Sequence, residues 1–308
     1  MSMKFCALVL LTLATISLQS NNDNFVVVST TTTERTENTN NLDEVQTKLA
    51  TLEAQIAKLQ KTLQDKTNPE TNTLTKHVPT NCKEIQKQGH NTSNIYYIQP
   101  RFSSEAFPVV CDMKTRGGGW TYILNRFDGS EAFYVKWDSY KQGFGNLGGE
   151  FWLGLEKIHL LTGYEFNELL VEIVDWDNKQ VDAHYNTFTV GNEKEGYVLK
   201  ILEGYSGTAG DSFKNEVGMR FTTRDKDQDV WNEGNCASFS EAAWWYRSCK
   251  WSHPTGKYFK DSRTGKDYLK GIYWVGYRGN TYSHKQIRMM VRPREQSKAE
   301  LFPKEKFL

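Results

Sequence analysis

The chain has 308 residues, with 38 basic and 37 acidic side chains, a net charge of +1 and a mean hydropathy of −0.64. So balanced a charge gives no reason to expect the clustered positive surface that nucleic acid requires, and no apolar run reaches the roughly 18 residues of a membrane helix. Glycine is absent before Gly89 and all nine tryptophans lie between Trp120 and Trp274, so one part of the chain is built to pack a core and the other is not.

Residues 1–20 read as a secretory signal, with Lys4 as the positive start and Phe5–Ile16 as an apolar run too short to cross a bilayer. Thr15 and Ser17 suit a cleavage site, and Ser20 is an alternative. The protein is therefore expected to be secreted and extracellular. Cys6 leaves with the signal, and Cys82, Cys111, Cys236 and Cys249 remain. An even number in an oxidising compartment favours two disulfides. Three pairings are open, and the local one closes the shortest loops. Asn91 begins the one N-glycosylation sequon, Asn91-Thr92-Ser93.

Residues 21–41 are rich in Thr and Asn, too polar to offset ordering entropy, and read as a disordered spacer. Over 42–66, Leu42, Val45, Leu49, Leu52, Ile56, Leu59 and Leu63 recur in steps of three and four. That is a heptad seam, and it predicts a short coiled coil forming a homo-oligomer, with Lys48 at g facing Glu53 at the following e. A lone amphipathic helix is the alternative, and dimer and trimer both stay open. Asn68-Pro69 ends the helix, and 67–80 is a polar linker.

From 81 to 295 the chain is dense in Gly, Trp and Tyr, and a polar tail follows over 296–308. Ile95–Ile98, Phe107–Val110, Trp120–Leu124, Leu169–Val174, Tyr197–Ile201 and Gln286–Val291 predict strands separated by turns. Glu150–Leu161 predicts a helix. The mixture is an α+β domain with a tail half poor in regular structure. Asp225, Asp227 and Asp229 alternate in a polar segment, which can turn carboxylates toward one hard cation. Val230 and Cys236 stand where an EF-hand needs Gly and Glu, so on spacing alone a solvated acidic loop is an equal reading. Among the aromatic residues near Cys236 and Cys249, Trp244 and Trp245 read as core. No HExxH, GxSxG or GxxxxGK occurs, so catalysis is not expected.

Arg116-Gly-Gly-Gly-Trp120, Asp128-Gly129-Ser130, Gly143-Phe-Gly145 and Gly149-Glu-Phe-Trp-Leu-Gly-Leu-Glu156 appear in that order. Phe221-Thr-Thr-Arg-Asp-Lys-Asp-Gln-Asp229, Gly234-Asn-Cys-Ala237, Trp244-Trp245-Tyr246, Gly271-Ile-Tyr-Trp274 and Arg292-Pro293 follow. This series resembles the fibrinogen C-terminal domain of fibrinogen, ficolins, tachylectins, angiopoietins and tenascins. The whole layout is similar to a secreted invertebrate lectin of that family.

The resemblance implies a central antiparallel sheet with flanking helices, a loop-rich C-terminal subdomain, and disulfides Cys82–Cys111 and Cys236–Cys249. It implies Ca²⁺ held by Asp227 and Asp229 with the carbonyls of Trp231 and Glu233. It also implies a pocket for acetylated carbohydrate on microbial or cell surfaces, with a cis Ser248–Cys249 peptide, donors at the N–H of Cys249 and Lys250, and Tyr268 as a wall. Ser240 and Phe239 occupy neighbouring pocket positions.

Lys250 replaces a frequent His, Ser240 a frequent Tyr, and Ser252-His-Pro-Thr-Gly256 a Ser-Asn-Leu-Asn-Gly stretch. Lys250 can therefore pair with an acidic sugar or extend into solvent. Ser240 and Leu269 stand where a fibrin-type, amine-binding pocket is acidic, so clot polymerisation is not expected. The rival reading is a protein-binding ligand or matrix component of angiopoietin or tenascin type.

Overall fold

The computed structural model describes residues 42–66, 78–262, 267 and 269–294. The expected signal segment, the spacer at 21–41, the linker at 67–77, Tyr268 and the tail at 296–308 lie outside the described residues. The chain divides into two units, one up to Thr75 and one from Lys76 onward. Among the described residues, no helix is long and apolar enough to cross a membrane.

The first unit contains α1, Leu42–Lys66, uninterrupted as its composition predicts. Val45, Leu49, Leu52, Ile56 and Leu59 on its heptad seam are 43–64% exposed in the single chain.

The second unit is built on an antiparallel sheet of nine strands among the described residues. Seven of them run in the order β1 (Asn94–Ile98), β2 (Phe107–Asp112), β3 (Trp120–Arg126), β11 (Gln286–Pro293), β6 (Asn167–Val174), β7 (Gln180–Val190), β8 (Leu199–Gly207). Off this path, β5 (Phe151–Trp152) pairs with both β3 and β4 (Phe144–Gly145). A separate ribbon joins β9 (Ser252–His253) to β10 (Tyr273–Trp274).

The central strands alternate between two apolar faces, as a period of two demands. Ile123, Leu169, Val171, Ile173, Ile287, Met289 and Val291 enter the main core, whereas Trp120, Leu170 and Met290 form a smaller cluster. A register shift between Met289 and Met290 leaves Ile123 unpaired on β3 and lets Ile123 and Leu124 both join the main core. The Arg292 guanidinium covers the Trp120 ring at 4.1 Å and bonds Glu168 at 2.7 Å.

Two expected elements differ in extent. The helix begins at Leu155 (α4, Leu155–Thr162) rather than at Glu150. Gly154, at φ +112°, breaks the run, and Phe151–Trp152 is held extended against β3. The strand expected from Tyr197 begins at Leu199, because Tyr197 itself has φ +48°. Strand β7 was not expected; Val181, Ala183 and Tyr185 alternate with Asp182 and His184, so no continuous apolar run marks it.

From β8 to β11 the chain is mostly irregular and is held by an aromatic cluster. Trp244 and Trp245 are fully buried and lie 4.9 Å apart, with Phe213 5.0 Å from Trp244 and Phe221 5.0 Å from Trp245. The indole N–H groups donate to Ser252 Oγ (Trp244, 3.2 Å), Tyr197 O (Trp245, 2.7 Å) and Gly210 O (Trp274, 2.7 Å). Each buried indole thereby keeps a partner. Disulfides join Cys82 to Cys111 and Cys236 to Cys249.

Arg126, at the end of β3, and Glu150, just before β5, form an ion pair at 3.3 Å with both side chains at most 1% exposed. Glu150 Oε1 accepts N–H bonds from Phe127, Asp128 and Gly129 at 2.6–3.0 Å. Arg126 donates to the carbonyls of Pro254 and Gly256 at 3.3 and 2.8 Å and stacks over Phe133 at 3.7 Å. Burial alone would raise the Glu150 carboxyl, but Arg126 and the three N–H groups hold it below its usual range. Removing one partner of such a pair leaves a buried charge uncompensated, at a cost of about 3–5 kcal/mol. Glu150→Gln is therefore expected to destabilise the domain by about that amount in urea unfolding; a loss under about 1 kcal/mol would show that the pair does not hold the fold.

Candidate functional site

The acidic loop after Phe221 starts from two short bridges, Thr222 with Trp244 and Thr223 with Lys226. Asp225 does not join the other two aspartates. Its Oδ1 accepts the Trp137 N–H at 2.9 Å and the Thr223 hydroxyl at 2.8 Å. It thus caps the start of α3 (Trp137–Gln142), a place that favours a negative side chain.

Asp227 and Asp229 do lie together, for the Asp229 N–H donates to Asp227 Oδ1 at 3.3 Å. Asp229 Oδ1 accepts from Trp231 N–H and its Oδ2 from Cys236 N–H, each at 2.9 Å. Burial pushes the Asp229 carboxyl up and the two N–H bonds pull it down, while the neighbouring Asp227 adds to the rise. The Trp231 carbonyl accepts a 3.3 Å bond from Gly234 N–H, and Glu233 is exposed.

Among the described residues no group of three or more His, Cys, Asp or Glu side chains is arranged around a metal position. A cation here would find the carboxylates of Asp227 and Asp229 and nearby main-chain carbonyls as donors. Those are hard oxygen donors, the kind Ca²⁺ takes, and main-chain oxygen and water would complete six to eight contacts.

The same loop runs into α5 (Cys236–Ser240), whose N-cap is Asn235: its side chain accepts Ser238 N–H at 2.7 Å and donates to Thr223 O at 3.2 Å. The Cys236–Cys249 bridge then brings the 247–252 segment alongside. The peptide between Ser248 and Cys249 is cis. The Cys249 carbonyl accepts Arg247 N–H at 2.6 Å. The N–H groups of Cys249 and Lys250 have no acceptor among the described residues.

Of the expected pocket residues, Cys249, Lys250 and Ser240 come together. Lys250 does not extend into solvent: its Nζ donates to Oγ of the buried Ser240. It lies 5.2 Å from the Tyr246 ring centroid and 5.8 Å from that of Tyr273. Phe239 turns elsewhere. It is 47% exposed and packs edge-on against Trp231 at 5.8 Å. Tyr268 lies outside the described residues.

Four neighbours were not among the expected site residues. Tyr246 and Tyr273, both buried, flank the Lys250 Nζ; the Tyr246 hydroxyl bonds His253 Nε2 at 2.9 Å, and His253 Nδ1 meets Gly271 O at 2.9 Å. Burial, together with the charge of Lys250, keeps His253 well below its usual value, so it is a neutral imidazole donating from Nδ1 and accepting at Nε2. Glu216 is fully buried; its Oε1 accepts N–H bonds from Trp251 (2.6 Å) and Ser252 (3.3 Å), and its Oε2 has no partner among the described residues. Burial pushes Glu216 up to about 8 in spite of those N–H bonds. The Gly271-Ile-Tyr-Trp274 motif held the signal for Tyr273, whereas nothing local marks Glu216. Trp251, beside Lys250, is 54% exposed.

Comparison with known proteins follows the same geometry. The family described as the fibrinogen beta and gamma chains, C-terminal globular domain, matches residues 78–294. Angiopoietin-related protein 2 of Mus musculus is 42% identical over 212 residues, covering 69% of this chain and 43% of that one. Fibrinogen C domain-containing protein 1 of Macaca fascicularis is 44% identical over 215 residues, covering 68% and 49%. The chain thus spans less than half the length of these curated relatives.

Among solved structures, the fibrinogen-like globe domain of human ANGPTL2 is 42% identical with a TM-score of 0.69, covering 70% of this chain and all of that one. A lamprey fibrin D-dimer, complexed with the peptide Gly-His-Arg-Pro-amide, is 30% identical with a TM-score of 0.67, covering 83% and 88%. By family match, by identity and by fold, the chain belongs to the fibrinogen C-terminal domain family.

Proposed function

We propose that the protein is a secreted, calcium-binding lectin that takes acetylated glycans of the N-acetylglucosamine type, in a role of pattern recognition on microbial or cell surfaces. The observation that carries this reading is the pair of unspent main-chain donors at Cys249 and Lys250, set beside aromatic rings and a disulfide. Buried main-chain N–H groups in folded proteins are nearly always paired, and these two, on half-buried residues with no protein acceptor among the described residues, are available to a carbonyl oxygen. Binding to an N-acetylglucosamine matrix, with elution by free sugar and by EDTA, tests it; failure to bind any acetylated matrix would overturn it.

Ca²⁺ belongs to the same proposal, held by Asp227 and Asp229 with the carbonyls of Trp231 and Glu233. The ion would neutralise the two adjoining carboxylates and fix the loop leading into Cys236. A ligand present at about 100 times its Kd stabilises by about 2.7 kcal/mol, or about 5–10 °C in Tm for a domain of this size. Asp227→Ala is expected to lose that gain and its EDTA sensitivity; an unchanged EDTA response excludes the assignment.

Clustering is proposed through α1. One shallow sugar site binds weakly, and linked sites gain by effective concentration. Covering the exposed seam of Val45, Leu49, Leu52, Ile56 and Leu59 with copies of itself is the economical way to remove it from water. Light scattering should find the chain oligomeric and Ile56→Asp monomeric; a monomeric wild type would refute the coiled coil.

A second reading, a protein ligand, is favoured by Val230, Phe239 and Trp251, which are 47–54% exposed around the site. Tight binding to one cell-surface protein, without sugar binding, would establish it.

A further inference from the structure

The two ends of the seven-strand path are guarded differently. β8 closes one end with exposed Lys200 and Glu203, followed by Gly204 at φ +70°. Charges and local bends are common ways to keep an edge strand from pairing with another chain. β1, at the other end, has neither. Its sequence, Asn-Ile-Tyr-Tyr-Ile, is uncharged and rich in strand formers, the composition of a segment prone to pairing between chains. Ile95 is 45% and Tyr97 65% exposed, and opposite them on β2 stand the half-buried Val110 and Pro108. The Ile95 N–H turns to the Asn94 side chain at 2.8 Å. By the alternation of an antiparallel pair, the main chain of Ile95 and Tyr97 faces away from β2.

Beside this edge stands the one sequon of the chain. Asn91, Thr92 and Ser93 are all exposed and lead directly into β1. The segment is fastened along the sheet, for the Tyr96 hydroxyl donates to Thr92 O at 2.8 Å and Ser93 Oγ accepts Met113 N–H at 3.0 Å. The Asn91 amide itself keeps only a long bond of 3.4 Å to Gly89 O. We propose that Asn91 carries an N-linked glycan whose role is to cover the β1 edge and keep it from pairing with a second chain. The proposal rests on the secreted reading, because such sugars are placed on exported chains.

The donor is a lipid-linked pyrophosphate oligosaccharide. The Asn91 amide nitrogen bonds to C1 of its first sugar, the bond from C1 to the pyrophosphate oxygen breaks, and the departing pyrophosphate takes the amide proton. From Asn94 to Ile98 the strand is about 13 Å long. A bulky, hydrated sugar anchored at Asn91, just ahead of that start, lies along it. Position, exposure and composition thus meet at one place: the uncharged end of the sheet is the end that bears the sequon.

The test is mass spectrometry and light scattering on the full chain, expressed in cultured eukaryotic cells from its own first residue. Asn91 of the wild type should be occupied, read as its conversion to aspartate when an amidase removes the sugar. Asn91→Gln should aggregate beyond the wild-type assembly about tenfold faster at equal concentration. Adding Tyr97→Lys to that variant puts on β1 the kind of charge that β8 carries, and should restore the wild-type rate. If the glutamine variant fails to leave the cell, an endoglycosidase that trims the folded wild type to its first sugar takes its place, with the same faster aggregation expected. An empty Asn91 on chain recovered from the medium overturns this inference and leaves the secreted reading standing. So does an occupied Asn91 whose loss leaves the scattering unchanged, or a Tyr97→Lys change that restores nothing. Chain retained in the cell with Asn91 empty overturns both.

Discussion

The buried Arg126–Glu150 pair is the constraint on which the C-terminal half depends. Glu150 gathers the N–H groups of the 127–129 turn, and Arg126 reaches across to the carbonyls of Pro254 and Gly256. One ion pair therefore fixes the end of a sheet strand, a turn, and the irregular stretch that carries His253. Because His253 bonds the Tyr246 hydroxyl, the pair also steadies the surroundings of Lys250 through this stretch. A segment with so little regular structure has few main-chain bonds of its own, and side chains must supply its shape. The two-sided burial of the pair makes it intolerant of losing either partner.

The second organiser is the short span from Asp229 to Cys249. Asp229 binds the N–H of Cys236, the disulfide carries that position to Cys249, and Lys250 follows at once. The acidic loop and the lysine pocket are thus a few bonds apart along one crosslinked path. In the proposed function, whatever orders Asp227 and Asp229 also steadies the donors at Cys249 and Lys250. The aromatic cluster beneath, with Trp244 and Trp245 at its centre, gives that path a rigid floor.

Much of the architecture was legible because it is written in local pattern. The heptad seam foretold α1, apolar runs foretold the central strands, and Trp244-Trp245 read as core and is core. The ordered series of Gly and Trp motifs carried the family. What escaped depended on contacts distant in sequence. Alternation grouped Asp225 with Asp227 and Asp229, but its partner is Trp137, 88 residues away. The helix expected from Glu150 is shortened because Glu150 serves Arg126 and Gly154 turns the chain. Phe239 turned to Trp231, and Glu216 has no signature until Trp251 and Ser252 fold onto it. Lys250 was an ambiguity that only burial resolved.

Trp251 stands apart from the other indoles. Trp120, Trp152, Trp244, Trp245 and Trp274 are sealed at 0–1% exposure, while Trp251 is more than half in water and adjoins Lys250 in the chain. Its emission should therefore lie to the red of that of the sealed group and be open to soluble quenchers that cannot reach the interior. If the proposed ligand seats beside Lys250, Trp251 is placed to report it by fluorescence, over the background of the half-buried Trp176 and Trp231.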